Sequence, residues 1–454
     1  MQARKCGRAT QSCRKNTAVL LILSLCKLAI TAIFCLFFTI LSNLFSLSNL
    51  LSLSFIFWGC LYLISIMPID FYDSGVIIRS YSIWLMIISV LVLYFIYIFS
   101  SDNITIFLFN MLGLNILIFF FRRRVIVFYI AFEFALIPMV ILILLRGYQP
   151  ERIGATLWFI LYTIIGSLPL LFIFVSYNFT ECSSFIIFRS SIQNYFLIFP
   201  LALAFMVKLP VFGFHLWLPK AHVQAPVSGS MFLAAVLLKI GGYGLFFIKP
   251  LVLVGNWVPM TVIIISVLGS VLAITFCMIL DDLKQVIAYS RIGHMGLVVS
   301  TILSDNEIGI LRSLLIMVGH GFTSSLIFYL GNEAYLVRGS RSLRLTKGII
   351  SVSPLLSLVL GIVLILNISF PPSINVFGEM RAIIAISGIF PSNILLVLGL
   401  VLLGGIFNIK LFLRISHGIN STISPILRLK QCPIIVRVRH ILPYLLLPII
   451  ISSV

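Results

Sequence analysis

The chain has 454 residues, of which 61% are apolar and only 9% charged, with a mean hydropathy of +1.20 and a formal charge of +19. A soluble protein of this length would hold two or three domains with about a quarter of its residues charged, so a soluble enzyme is excluded and an integral membrane protein remains. The positive charge does not point to nucleic acid, because no soluble stretch long enough to fold carries a basic patch interleaved with aromatics; basic loops facing anionic phospholipid such as cardiolipin account for it more simply.

Apolar runs of about 20 residues recur nearly end to end, which makes the spanning elements helices; barrel strands would be about half that length, with alternating polarity. Residues 1–17 form a basic tail with Arg4, Lys5, Arg8, Arg14 and Lys15, no Asp or Glu, and several Ser and Thr. A transit peptide, an upstream start and a genuine tail all fit that composition. Spans are then expected near 18–41, 49–67, 76–99, 103–121, 125–145, 155–177, 193–217, 226–249, 257–279, 283–303, 307–330, 353–389, 391–414 and 438–454, about fourteen in all. Connections are short except for the basic stretch Arg338 to Lys347 and the Ser/Pro/Lys/Arg stretch Ser416 to Arg439, so function has to sit inside the bilayer. Loop Arg and Lys divide almost evenly between the two sides when the tail is counted. Without it they favour the side opposite the N-terminus, so the tail decides the topology.

Two spans read as broken. The seventh carries Pro200, Pro210 and Pro219, and the twelfth is too long for one crossing and holds Pro371 and Pro372 mid-run. Each proline removes a helix hydrogen bond, and such backbone survives at membrane depth only where protein or a water-filled cavity surrounds it. Breaks five spans apart point to duplicated halves with a transport site at the repeat interface. The eight cysteines contain no CxxC pair and no metal-ligand spacing with His. No dinucleotide fingerprint or phosphate loop follows a strand-like run, and Gly241, Gly242 and Gly244 read as close-packing positions in an apolar helix. The chain is therefore expected to bind no metal, dinucleotide or ATP.

Ten of the twelve carboxylates, Glu333 among them, fall in or beside the expected loops, leaving Glu133 and Glu379 at depth. Lys208 and Lys239 share their situation. A charge at the bilayer centre costs roughly 3 kcal/mol on insertion scales, so each needs a partner or water and each is a functional candidate. Burial brings carboxyl and ammonium groups toward a range where both exchange protons. A buried Glu/Lys pair that only clamps helices is the alternative, although such pairs stabilise weakly relative to apolar packing. His215, His294 and His320 also lie at or near membrane depth. Alone, each reads as an interhelical hydrogen-bonder; beside the two Glu and two Lys they compose a proton relay. Lys27, Lys410 and Arg414 sit near span ends and are expected to snorkel to the interface.

The motifs that surround these residues resemble a specific family. Gln149-Pro-Glu-Arg152, Tyr162 to Leu171, Val207-Lys-Leu-Pro210, His215 to His222, Ala225-Pro226, Gly229-Ser-Met231 and Leu237 to Gly244 are similar to the chain 4 family of mitochondrial NADH-ubiquinone oxidoreductase, respiratory complex I. Asp282-Leu-Lys284, Ile287 to Ser290, His294-Met295, His320-Gly321, Ser324-Ser325, Pro371-Pro372 and Gly378-Glu379 continue the resemblance in order, over roughly residues 125–385. It implies an all-α integral membrane protein of about fourteen helices, with two inverted five-helix repeats and discontinuous helices seven and twelve. The corresponding boundaries are N-terminal helices over 18–102, a first antiporter-like repeat over 103–250, a second over 251–414, and a basic loop with a C-terminal helix over 415–454.

The resemblance also implies roles. Glu133 becomes a helix-five glutamate paired with Lys208, Lys239 the central-axis lysine, His294 and His320 axis residues, and Glu379 the terminal glutamate. Two departures stand out: Gln224 where many relatives carry Glu, and Arg291 in a usually small-residue run. The implied function is proton translocation by a multi-pass subunit of the mitochondrial inner membrane. NADH, FMN, iron-sulfur clusters and ubiquinone would be handled by other subunits, and neighbouring antiporter-like chains of the membrane arm would be its partners. A subunit of a multi-subunit sodium/proton antiporter, and a structural subunit whose charges serve only packing, are the alternatives.

Overall fold

A computed structural model describes residues 74–99, 102–121, 125–147, 149–176, 198–252, 257–304, 307–371, 373–388 and 393–418. The chain divides into two units, Met1–Val76 and Ile77–Val454, and the described residues fall almost entirely in the second. The expected first, second and fourteenth spans lie outside the described residues, as does the basic tail.

The described residues form helices α1 (Ser74–Phe99), α2 (Asn103–Phe121), α3 (Val125–Phe134), α4 (Leu136–Arg146), α5 (Arg152–Ser176), α6 (Ile198–Lys208), α7 (Trp217–Gln224), α8 (Val227–Phe232), α9 (Leu238–Val252), α10 (Trp257–Ile279), α11 (Leu283–Leu303), α12 (Glu307–Arg338), α13 (Ile349–Val352), α14 (Pro354–Asn367), α15 (Ile374–Ser387) and α16 (Asn393–Ser416). A five-residue π turn, Leu233–Leu237, joins α8 to α9 within one span. No strand occurs among them, and eight spans are long and apolar enough to cross a membrane.

The layering follows from where the polar residues are. Over 18-residue stretches, Leu283–Leu303 is 94% buried and Arg312–Arg338 fully so, whereas Leu395–Ser416 is 33% buried. The inner helices carry Ser, Thr, His and charged residues that lipid would not tolerate. Their hydroxyls bond back to carbonyls three or four residues earlier, as Ser300 does to Leu297 O (2.8 Å) and Thr323 to Gly319 O (3.2 Å). The outer helices turn Leu, Ile and Phe outward, as α5 does with Leu161, Ile165 and Phe172. α11 packs on α10, α12, α7, α9 and α15, so the buried row runs through the middle of the bundle.

Both expected breaks are present. α6 ends at Lys208, and the chain runs through a nonhelical stretch at Pro210 before α7. α14 ends at Asn367, Ser369 takes a left-handed φ of 65°, and α15 starts at Ile374. Asn375 spans the second break by donating to Leu366 O (3.3 Å). The eleventh span, expected to end at residue 330, continues to Arg338, so Glu333 and Arg338 are buried inside α12 instead of lying in or beside a loop. The Arg338 guanidinium donates to Gly348 O at 2.5 Å, which ties the basic stretch to the helix end. Lys410 reaches sideways to Met278 O (3.2 Å) at the end of α10, so it caps a neighbouring helix. Just outside the membrane, Asp282 caps α11 by accepting from the Lys284 N–H, and burial pushes its carboxyl up against the opposing pull of that bond and of Arg341 and Lys284.

Two glycines let α12 and α15 touch. A Cβ at Gly319 would collide with the Asn375 side chain, and one at Gly378 would stand 2.7 Å from Ile316 Cγ1 and 3.1 Å from Ile316 N. Because His320 and Glu379 directly follow these glycines, the close approach sets their distance. Gly378→Ala is expected to force the helices apart at a cost of about 1–3 kcal/mol. The measured outcome is a lower thermal midpoint and less assembled protein; an unchanged midpoint would contradict the packing argument.

Candidate functional site

The six expected relay residues lie on six different helices, α3, α6, α9, α11, α12 and α15. Glu133 sits near the end of α3, where Pro138 lacks the N–H that would continue the helix and the chain turns at Ala135. Its Oε1 is buried with no hydrogen-bond partner. Lys208, the last residue of α6, is buried and crosses to the same turn. Its ammonium donates to Phe132 O at 2.5 Å and lies 3.0 Å from the centre of the Phe132 ring. Glu133 is close enough to act on it electrostatically, yet no direct ion pair joins the two. Lys208 is thus held one residue short of the carboxylate.

Lys239 follows the π turn. A π turn shifts each bond by one residue, and the ammonium takes up the carbonyl of Ala234 at 2.6 Å. Its stem runs beside Gly321, next to His320. The side chain is buried, and the described residues offer it no carboxylate partner within ion-pair distance.

The tightest constellation joins three helices. His294 from α11 and His320 from α12 lie with ring centres 4.0 Å apart. Glu379 from α15 places Oε1 3.3 Å from His294 Nδ1 and 3.4 Å from His320 Nε2. All three are buried. These separations exceed an ordinary hydrogen bond, so one carboxylate oxygen stands between two proton-bearing rings and needs only a few tenths of an ångström to bond either. The donor atoms lie within 4.8 Å of one another and are of kinds that hold divalent cations. The lysine and arginine charges nearby oppose a cation, so proton exchange is the chemistry that fits this set.

His215 lies apart from this row. It accepts from the Gly213 N–H (3.2 Å) and stacks on Phe212 (4.6 Å), which makes it a satisfied residue of the first break. Gln224 donates to Gln149 Oε1 (2.9 Å) and Glu151 Oε2 (3.3 Å), tying α7 to the loop before α5. Three further residues went unrecognised as parts of the row. His222 is fully buried on the Phe328 ring with both nitrogens unpartnered. Arg291, one turn before His294, is buried over the same ring. Lys284 donates to Ala225 O (3.1 Å) and Val223 O (3.5 Å), where α7 stops before Pro226. The sequence signal for the last two was helical spacing: residues 284, 291 and 294 recur on one face of α11.

This arrangement can be set beside known proteins. The NADH:quinone oxidoreductase/Mrp antiporter transmembrane family matches residues 123–406. NADH-ubiquinone oxidoreductase chain 4 of Artemia franciscana is 41% identical over 281 residues, covering 62% of this chain and 71% of that one. The chain belongs to the NADH-ubiquinone oxidoreductase chain 4 family. As a member it is a multi-pass protein of the mitochondrial inner membrane and part of NADH:ubiquinone oxidoreductase. Its fold is also that of a chain in respiratory complex I from Thermus thermophilus with bound NADH, with a TM-score of 0.72 and 20% identity, covering 82% of this chain and 80% of the other. A chain of the Mrp complex from Dietzia sp. is similar too, with a TM-score of 0.68 and 14% identity over 76% and 67%. The family match spans every expected relay residue and both breaks.

Proposed function

We propose that the chain translocates protons in the membrane arm of respiratory complex I, through a relay of Glu133, Lys208, Lys239, His294, His320 and Glu379. The observation that carries this reading is the Glu379 oxygen held between two buried imidazoles, with the buried Lys239 running beside Gly321 next to one of them. A charge arriving from a neighbouring subunit at Glu133 would draw the Lys208 ammonium off Phe132 O and onto the carboxylate. The positive potential on Lys239 then falls, so Lys239 takes up a proton; when Lys208 swings back, the potential rises again and drives that proton past the histidines toward Glu379. The enclosing apolar helices exclude bulk water, so each such shift acts in a low dielectric and is felt by the next group.

The antiporter-like repeats are assigned to 103–250 and 251–414; each holds one broken helix, which supports the division. Electron transfer belongs to other subunits, which would carry FMN and the iron-sulfur clusters and react NADH with ubiquinone; this chain contributes the proton path. Its partners are the flanking membrane-arm chains and phospholipid such as cardiolipin.

Blue-native electrophoresis with an in-gel NADH dehydrogenase stain tests this assignment. The chain is expected in the large active band; a chain migrating apart from it would contradict the proposal. The shared fold with an Mrp complex supports a second reading, sodium/proton exchange. Sodium-dependent proton flux in membranes that lack the redox subunits would favour it.

A further inference from the structure

The three donor atoms that face one another in the buried row are spaced as metal ligands are. In a tetrahedral site with bonds of about 2.0–2.1 Å, neighbouring ligand atoms stand roughly 3.3–3.4 Å apart. Glu379 Oε1 lies 3.3 Å from His294 Nδ1 and 3.4 Å from His320 Nε2, and the three atoms fall within 4.8 Å of one another. Two imidazoles and a carboxylate are a donor set that zinc and other divalent cations take readily. Such an ion would block any proton traffic through the cluster, so the fold has to discriminate against it.

The charge that can do so stands one turn away. Arg291 precedes His294 by three residues on α11 and borders the same small cavity as His294 and His320. It is buried, its guanidinium lies 4.6 Å from the centre of the Phe328 ring, and its Nε and Nη1 meet no acceptor. Among the described residues no carboxylate forms an ion pair with it, Glu379 being turned to the two histidines. Residues 284, 291 and 294 share a face of α11, so a cation entering from the loop end of that helix meets the buried Lys284 and then Arg291 before His294.

A guanidinium keeps its proton under physiological conditions, whereas Lys239, as a relay member, gives its proton up for part of the cycle. Arg291 is therefore the constant source of repulsion. At the effective dielectric of a protein interior, a fixed unit charge even about 10 Å away weakens the binding of a divalent ion by about hundredfold or more. A proton carries half the charge and pays half the free energy, about tenfold. We propose that Arg291 is a specificity-determining residue, whose fixed charge bars divalent metal cations from the His294, His320 and Glu379 cluster and leaves the cluster to protons. This deepens the relay reading and rests on it for the traffic through the cluster.

The test is a zinc titration of the purified whole complex, with bound zinc counted per complex after gel filtration and a density map recorded at the zinc concentration that saturates the variant. Wild type is expected to hold no zinc at the cluster under that condition. Arg291→Met removes the charge while its stem still covers Phe328. It is expected to bind one further zinc equivalent, about hundredfold or more tighter than wild type, with density joining the three side chains. Adding Glu379→Gln to Arg291→Met is expected to abolish that equivalent. Arg291→Lys keeps a cation in a different shape and is expected to stay free of zinc, which a merely structural role for Arg291 does not predict. Should Arg291→Met fail to assemble, Arg291→Gln takes its place. Density joining the three side chains in wild type, or no additional zinc in the charge-free variants, would overturn the proposal. Failure of the relay reading shows instead as normal pumping by Glu379→Gln, a result read apart from the zinc count.

Discussion

Glu133→Gln is expected to leave the complex assembled while reducing proton pumping and coupled quinone reduction by about tenfold or more, the lower end of what a positioned proton-transfer group contributes. Assembly is spared because, among the described residues, Glu133 makes no ion pair and its Oε1 no hydrogen bond, so the neutral amide removes a desolvation cost and no ion pair. Function is lost because the charge that would draw Lys208 from Phe132 O is gone. Lys208→Ala removes the other member and is expected to behave alike. The double variant should then be no worse than either single one, since residues that act as a unit are not additive. Proton uptake by proteoliposomes, normalised to assembled complex, reads both. Unchanged pumping in assembled Glu133→Gln would sink the role given to this glutamate.

The four deep charges were legible in the sequence because cost alone singles them out: in 454 residues with 9% charge, a Glu or Lys at the centre of an apolar run has no cheap explanation. The two breaks were legible because proline cannot continue a helix. Span limits followed hydropathy where a loop is polar, as at α10 and α11, and failed where a buried polar stretch continues a helix, as from Leu330 to Arg338. That failure put Glu333 among the loop carboxylates. Arg291 and His222 were passed over for a related reason. Periodicity shows that Arg291 shares a face of α11 with His294, but that Arg291 and His222 both lie on Phe328 depends on how α7, α11 and α12 pack, which no single helix encodes. The same holds for Lys208, whose expected pairing with Glu133 is a question of a residue's reach: the lysine ends on the carbonyl of the preceding Phe132.

The second large effect is expected at Glu379, where two substitutions separate conduction from clamping. Gln at this position can still accept from one imidazole and donate to the other, so α11, α12 and α15 stay joined and the complex assembles. It cannot take up a proton, and pumping is expected to fall by about tenfold or more. Leu removes the oxygen that faces both rings and leaves two buried imidazoles without it. Removing one partner of a buried pair costs about 3–5 kcal/mol, enough to deplete the assembled complex. A purely structural Glu379 predicts a different order: Glu379→Gln would pump normally per assembled complex and Glu379→Leu would differ only in yield. Pumping per complex, measured alongside the intensity of the blue-native band, therefore decides between the readings. The relay requires that Glu379→Gln assemble and fail to pump, because the side chain that keeps the three helices together in that variant is the one that can no longer carry the proton.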